Sequence, residues 1–318
     1  MRLRTLLPVL LAACGGGGGG DDEPTPDAKP PGFEIGFNKP EGALRANVEN
    51  DAGDFIDDGP ADLSCLNTPS ADEATTVPVT LTTVVRDFQS DNLVPNAGVV
   101  AFRNQDTTDV FDTTTSGENA EVTITIPIGV TRFGYIMTDP NSLDTLLLNQ
   151  KVEPDVMMQT EGSIRSVSKG TANTLPALIG VSRTPDTGVL AGAMRDCQDR
   201  EISGFIATVA KSEGITEGTH AEILAQVETN RVDGADAYYF RSVAGDSLPV
   251  KHTQEAASTG NGLFMVIELA EASTAVVQIW GYLNDADLAA DKMTLIGQLV
   301  TESKPETVIT GSYEPIRN

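Results

Sequence analysis

Positive charge is scarce in this chain. Its 318 residues hold 21 lysines and arginines against 46 aspartates and glutamates, a formal charge of −25 at pH 7. Nucleic acid is a polyanion and would be repelled, so it is not expected as a partner. Histidine is scarcer still, with only His220 and His252 far apart in the chain. No His-Glu-x-x-His motif is present to hold a catalytic zinc, and no Gly-x-Ser-x-Gly turn is present to expose a serine nucleophile. Aromatics make up 5% of the chain, with one tryptophan, Trp280. That is thin for a cleft that stacks sugars between paired carboxylates. Long apolar runs are missing too. A bilayer-spanning helix takes roughly 20 apolar residues, and the apolar stretch from Thr5 to Leu11 falls far short.

What the chain does have is short alternating segments rich in Val, Ile and Thr. Val77 to Val85 alternates as a half-buried strand does, and Val122, Ile124, Ile126 and Ile128 alternate with Thr123, Thr125 and Pro127. Pro127 points to an edge or an end of that strand, because proline donates no ladder hydrogen bond. Helix-length amphipathic runs are few. Thr171 to Ile179, stopped by Gly180, reads as a short helix. A second reads from Thr219 to Glu228, inside an insertion near Ser212 to Gly234. The expected class is mostly β, with two domains better suited to this length than one.

The first residues place the protein. Arg2 and Arg4 precede an apolar stretch, and Leu11-Ala12-Ala13-Cys14 closes it. This resembles a bacterial lipobox, where a signal segment is removed and a diacylglycerol is joined to the cysteine sulfur. The resemblance implies lipid on Cys14, a third acyl chain on its new amine, and anchoring without a transmembrane helix. Each buried methylene contributes about 0.8 kcal/mol, so three chains hold where one is marginal. Gly15 rather than aspartate after the cysteine implies the outer membrane, on its periplasmic or surface face. Residues 15–32, a glycine run followed by acidic and proline-rich sequence, read as a tether. As a coil they reach roughly 25 Å root-mean-square. With Cys14 lipidated, Cys65 and Cys197 remain, and an oxidising compartment predicts a disulfide between them.

A repeat lies in the rest. Val84-Val85-Arg86-Asp87-Phe88-Gln89 matches Ala193-Met194-Arg195-Asp196-Cys197-Gln198. Ala97 to Phe102 matches Gly204 to Val209. Ser116-Gly117-Glu118-Asn119-Ala120 matches Ser258-Thr259-Gly260-Asn261-Gly262. A strand ending in aromatics is expected after each, Arg132-Phe133-Gly134-Tyr135 in one copy and Ile279-Trp280-Gly281-Tyr282 in the other. Gly260-Asn261-Gly262 suits a tight hairpin that needs positive φ. Asp87 and Asp196 fall where a strand ends and can bond the turning backbone.

This order resembles the carboxypeptidase regulatory-like domain. The second copy carries the pattern in Gly192-Ala193-Met194-Arg195-Asp196, Gly204-Phe205-Ile206-Ala207 and Thr259-Gly260-Asn261-Gly262-Leu263-Phe264. The first copy has Thr83 for the leading glycine and Ala120-Glu121 at the later turn. The resemblance implies two tandem small antiparallel β-sandwiches of the transthyretin (prealbumin) type, joined through a short helix. Its motifs are structural and imply no activity. The expected layout is a signal and lipidation site over 1–14, the tether over 15–32, and a loop-rich segment over 33–76 packing on the first sandwich. The first sandwich then takes 77–160, a connector 161–185 and the second sandwich 186–318. Cys65 would fasten the loop-rich segment to the second domain.

The functional expectation is a non-catalytic, lipid-anchored outer-membrane protein with a structural, adhesive or protein-binding role. Its partners would be the membrane, through the anchor, and envelope proteins or surface polymers. No cofactor is expected. The alternative is a carbohydrate- or peptide-binding module, which Trp280 and Tyr282 would serve if exposed. Calcium could assist it through Asp51, Asp54, Asp57 and Asp58, or through Asp285, Asp287 and Asp291. Calcium takes about six to eight oxygens from such residues, but neither run follows the Asp-x-Asp-x-Asp-Gly loop. Solvated acidic loops are the plainer reading of both.

Overall fold

A computed structural model describes residues 38–177, 179–243, 246–251, 255 and 257–318. The fold is mostly β, and the chain divides into two compact units. Residues 71–173 and 306–311 form unit 1, while 38–70, 174–305 and 312–318 belong to unit 2. Cys14 and the tether lie outside the described residues, as does His252.

Strands β1 (Arg45–Glu49) and β2 (Phe55–Pro60) come first. Unit 1 follows with β3 (Val79–Asp87), β4 (Gly98–Arg103), β5 (Val110–Thr115) and β6 (Glu121–Ile126). It continues through β7 (Arg132–Thr138), β8 (Ser142–Lys151) and β9 (Met158–Ser168). Helix α1 (Lys169–Ala177) then leads to β10 (Gly188–Met194), β11 (Glu201–Ser203), β12 (Ile206–Ala210) and β13 (Glu217–Gly218). Helix α2 (His220–Asn230), β14 (Ala237–Val243), β15 (Asp246–Pro249), β16 (Leu263–Leu269) and β17 (Ala272–Gly281) come next. Helix α3 (Asp285–Ala289), β18 (Met293–Ser303) and β19 (Thr307–Tyr313) complete the order.

Unit 1 is a sandwich. One sheet runs β6-β3-β9 and the other β5-β4-β7-β8. Thr307 to Gly311 adds to β8 in parallel. Alternation builds the core. Val79, Leu81 and Val85 of β3 and Val122, Ile124 and Ile126 of β6 meet Val99 and Ala101 of β4 and Phe133, Tyr135 and Met137 of β7. Burial of each Val, Leu, Ile, Phe or Met among them contributes about 1.5–3 kcal/mol relative to exposure. Strand β6 stops before Pro127, as the sequence suggests. At its outer edge the Thr125 N–H donates to the Asp112 carboxylate at 2.6 Å, which blunts an open ladder.

Unit 2 pairs a sheet β15-β14-β16-β10 with a sheet β12-β17-β18-β13 and adds a small sheet β11-β1-β2. Phe264 sits edge-on to Phe205 and to Tyr313, with ring centroids 6.0 and 5.3 Å apart. A Cβ on Gly192 would fall 2.2 Å from the Tyr313 ring, which gives a steric reason for the leading glycine of the motif. Helix α2 starts at a capping box. Thr219 accepts from the Glu222 N–H, and the Glu222 carboxylate accepts from the Thr219 N–H. Its Ile223 and Val227 pack with Ile206, Trp280 and Leu295 on the outer face of β12-β17-β18.

The repeat is visible bond by bond, with its second segment shifted by one residue so that Ala97 answers to Phe205 and not to Gly204. The Ala97 N–H donates to Ser116 Oγ at 2.9 Å, and the Phe205 N–H to Ser258 Oγ at 3.0 Å. The Val85 N–H donates to the Ala120 carbonyl, and the Met194 N–H to the Gly262 carbonyl. Ala120 and Gly262 share a left-handed backbone, with φ of 60° and 63°. Arg86 pairs with Asp91 as Arg195 pairs with Asp199.

Three expectations are corrected. Of the 33–76 segment, residues 38–70 join unit 2, where β1 pairs with β11 and Cys65 bonds Cys197, while 71–76 pack on the first sandwich through Asp72 and Thr75. Strand β9 runs to Ser168, beyond the expected start of the connector, held by parallel pairing to β3 that a polar segment does not advertise. The aromatic runs are not equivalent. Phe133 and Tyr135 open β7 opposite the end of β4, whereas Trp280 closes β17 opposite the start of β12.

Candidate functional site

The densest polar construction surrounds the disulfide. Cys65 and Cys197 are joined, with Cα atoms 5.8 Å apart, and the Cys65 N–H also points at Cys197 Sγ. Asp196, 3% exposed, organises the turn beside it. Its Oδ1 accepts from the Gln198 and Arg200 N–H groups at 2.9 and 3.0 Å. Its Oδ2 accepts from the Asp62 N–H at 3.0 Å and from Arg200 Nε and Nη2 at 3.0 and 2.7 Å. Arg200 also donates to Asp58. Asp87 does the simpler form of this task in unit 1, accepting from the Gln89 and Ser90 N–H groups. Both aspartates therefore bond a turning backbone, as their place at strand ends suggests.

A second cluster gathers Lys39, Asp291, Tyr282 and His220. Asp291 Oδ1 accepts from Lys39 Nζ at 2.7 Å, the Tyr282 hydroxyl at 2.5 Å and the His220 N–H at 3.4 Å. Burial pushes the Asp291 carboxyl up. The hydrogen bonds from Lys39 and Tyr282 and the Lys39 charge outweigh it and hold the group below the usual carboxylate range. Burial, then the bond to Asp291, raises the Tyr282 phenol. Burial lowers the His220 imidazole. A carboxylate with three donors on one oxygen is a poor proton acceptor. It is an effective clasp, fixing Lys39 against the end of β17. Lys39 and Arg200 were not sequence candidates for this work. Asp196 was, through its repeat with Asp87.

The acidic runs do not converge. Asp57 takes a paired Arg45 guanidinium, whose hydrogen bonds hold its carboxyl below the ordinary value. Asp58 faces Arg200, and Asp291 faces Lys39. Asp51 and Asp54 lie on the β1–β2 turn, where Asn50 Oδ1 accepts from the Ala52 and Asp54 N–H groups. Asp285 and Asp287 stand in the first turn of α3, capped by Asn284. Among the described residues no three His, Cys, Asp or Glu side chains could hold a metal ion together. The aromatic candidates are also corrected. Trp280 and Tyr282 are both 0% exposed, because α2, within the 212–234 insertion, packs on the face that would otherwise present Trp280. Neither offers a platform to a sugar.

No family model and no curated protein matches the chain. Among solved structures, the shaft pilin SpaA of Lactobacillus rhamnosus GG shares 10% identity over 76% of this chain and 98% of its own, with a TM-score of 0.21. The Bacillus anthracis TIE protein shares 11% over 76% of this chain and 34% of its own, at 0.22. A mutant catechol 1,2-dioxygenase of Acinetobacter radioresistens shares 9%, at 0.22. This chain covers 62% of its length, and the alignment takes in 36% of this chain. Among the described residues no helix is long and apolar enough to cross a membrane.

Proposed function

We propose that this is a non-catalytic envelope protein, lipid-anchored at Cys14 in the outer membrane, with a structural, adhesive or protein-binding role. The disulfide between Cys65 and Cys197 carries the reading, because such bonds persist in oxidising compartments and not in a reducing cytosol. The lipobox-like run at Leu11-Ala12-Ala13-Cys14 supplies the attachment, and residues 15–32 supply the tether. Polar side chains support it as well. Asp87, Asp196 and Asp291 are spent on turns and clasps inside the units, as suits a scaffold. The remaining negative charge keeps the folded part soluble and away from anionic lipid.

Growth with labelled palmitate tests the anchor. The protein should take up label and fractionate with outer membranes, and Cys14→Ser should abolish both. An unlabelled protein that keeps its first thirteen residues would overturn the proposal.

A further inference from the structure

The outer face of β12-β17-β18 carries a polar row where its counterpart in unit 1 is apolar. Thr208, Gln278 and Gln298 stand side by side in register across the three strands. The shared serine bonds equate Ala97 with Phe205 and therefore Val100 with Thr208. Val100 pairs with Ile136, and Ile136 with Leu146. One row is thus Val-Ile-Leu and the other Thr-Gln-Gln.

Burial runs against polarity. Val100 and Ile136 are only half-buried, and Leu146 alone of that row is buried. Thr208 is 2% exposed and Gln278 0%, on the face where α2 packs against Ile206, Trp280 and Leu295. Neither Nε2 nor Oε1 of Gln278 has a hydrogen-bond partner among the described residues. Such burial costs about 1–3 kcal/mol for each unpaired polar group in proteins. A sheet that needed only to pack would use the apolar row of unit 1. The neighbouring groups are placed to help a guest. Thr208 Oγ1 accepts from Trp280 Nε1 at 3.2 Å, which leaves its own proton to donate. Glu213 accepts from Gln298 Nε2 at 2.9 Å, at the half-buried end of the row.

We propose that this row is a binding seat for a neutral carboxamide group, with α2 and its flanking loops as the cover. The guest amide donates to Gln278 Oε1 and accepts from Gln278 Nε2, and its carbonyl oxygen also takes the Thr208 hydroxyl proton. A carboxylate fails there, since it has no donor for Oε1 and must shed its hydration to enter a buried site. Admission requires α2 to lift, as covers over enclosed sites do. The proposal is independent of the lipid anchor.

Trp280 is the sole tryptophan and touches Thr208, so its emission reports on the seat. Propionamide should shift that emission saturably, and propionate at equal concentration should not. Gln278→Ile copies the residue that unit 1 carries at this place and should fold. It should weaken the propionamide response at least tenfold, and Thr208→Val should weaken it severalfold. The proposal is overturned if the wild type gives no saturable response, or if Gln278→Ile responds as the wild type does. It is equally overturned if a crystal soaked in propionamide shows only water at Gln278.

Discussion

Removing the disulfide tests the packing of residues 44–70 on unit 2. The bond links positions 132 residues apart. If that whole loop becomes coil on unfolding, the chain-entropy model assigns the bond about 5 kcal/mol. Unit 1 lies almost wholly inside the loop, however. If it stays folded while unit 2 opens, the flexible part shrinks to roughly 30 residues and the contribution to about 3.6 kcal/mol. Cys65→Ala with Cys197→Ala should therefore lower unit 2 stability by about 3.6–5 kcal/mol. That corresponds to roughly 10–20 °C in melting temperature for a unit of this size. Urea unfolding followed by Trp280 emission reads unit 2 alone, since the chain has no other tryptophan. Reduced wild type should unfold with the double variant. A change under about 0.5 kcal/mol would show that Cys65 is not held beside Cys197 in the native state, and would refute the assignment of its segment to unit 2.

Two further outcomes follow from the bonding around named carboxylates. Asp196→Ala removes the acceptor of three backbone N–H groups and one of the two carboxylates on Arg200, so it should cost about 3 kcal/mol. The matching Asp87→Ala in half-buried surroundings should cost about 1 kcal/mol, and equal losses in denaturation curves would contradict the difference. Asp72 sets an acid limit on unit 1. Burial pushes its carboxyl up, but hydrogen bonds and charge from Arg132 and Lys151 prevail and leave it lowered. Its stabilisation is present above the unfolded carboxylate value and disappears as pH falls through the folded one. Urea midpoints measured from pH 6 to pH 2 should fall over that range, and Asp72→Asn should flatten part of the fall.

The strands of β6 and β3 were legible because each buries alternate residues between two sheets, and period-two patterning survives in sequence. The repeat was legible because its turns need particular chemistry: a carboxylate at Asp87 and Asp196, a hydroxyl at Ser116 and Ser258. Helix α2 was announced by its cap. Strand β9 was not legible, because much of it is polar and its partner lies far upstream. The aromatic runs misled because shared residue types fix neither which end of a strand they occupy nor which face they take. Gln278 gave no signal at all, since glutamine on an alternating strand reads as solvent-facing.

The sequence by itself settled the β class, the duplicated turns and the placement of α2. These are local choices, written in alternation, capping and backbone-bonding side chains within a few residues of one another. Only the tertiary structure decided that residues 44–70 belong to unit 2, that Trp280 and Tyr282 are interior, and that Thr208 and Gln278 are buried. Those outcomes depend on which distant segment covers a given face, and burial is a property of that pairing rather than of either segment alone.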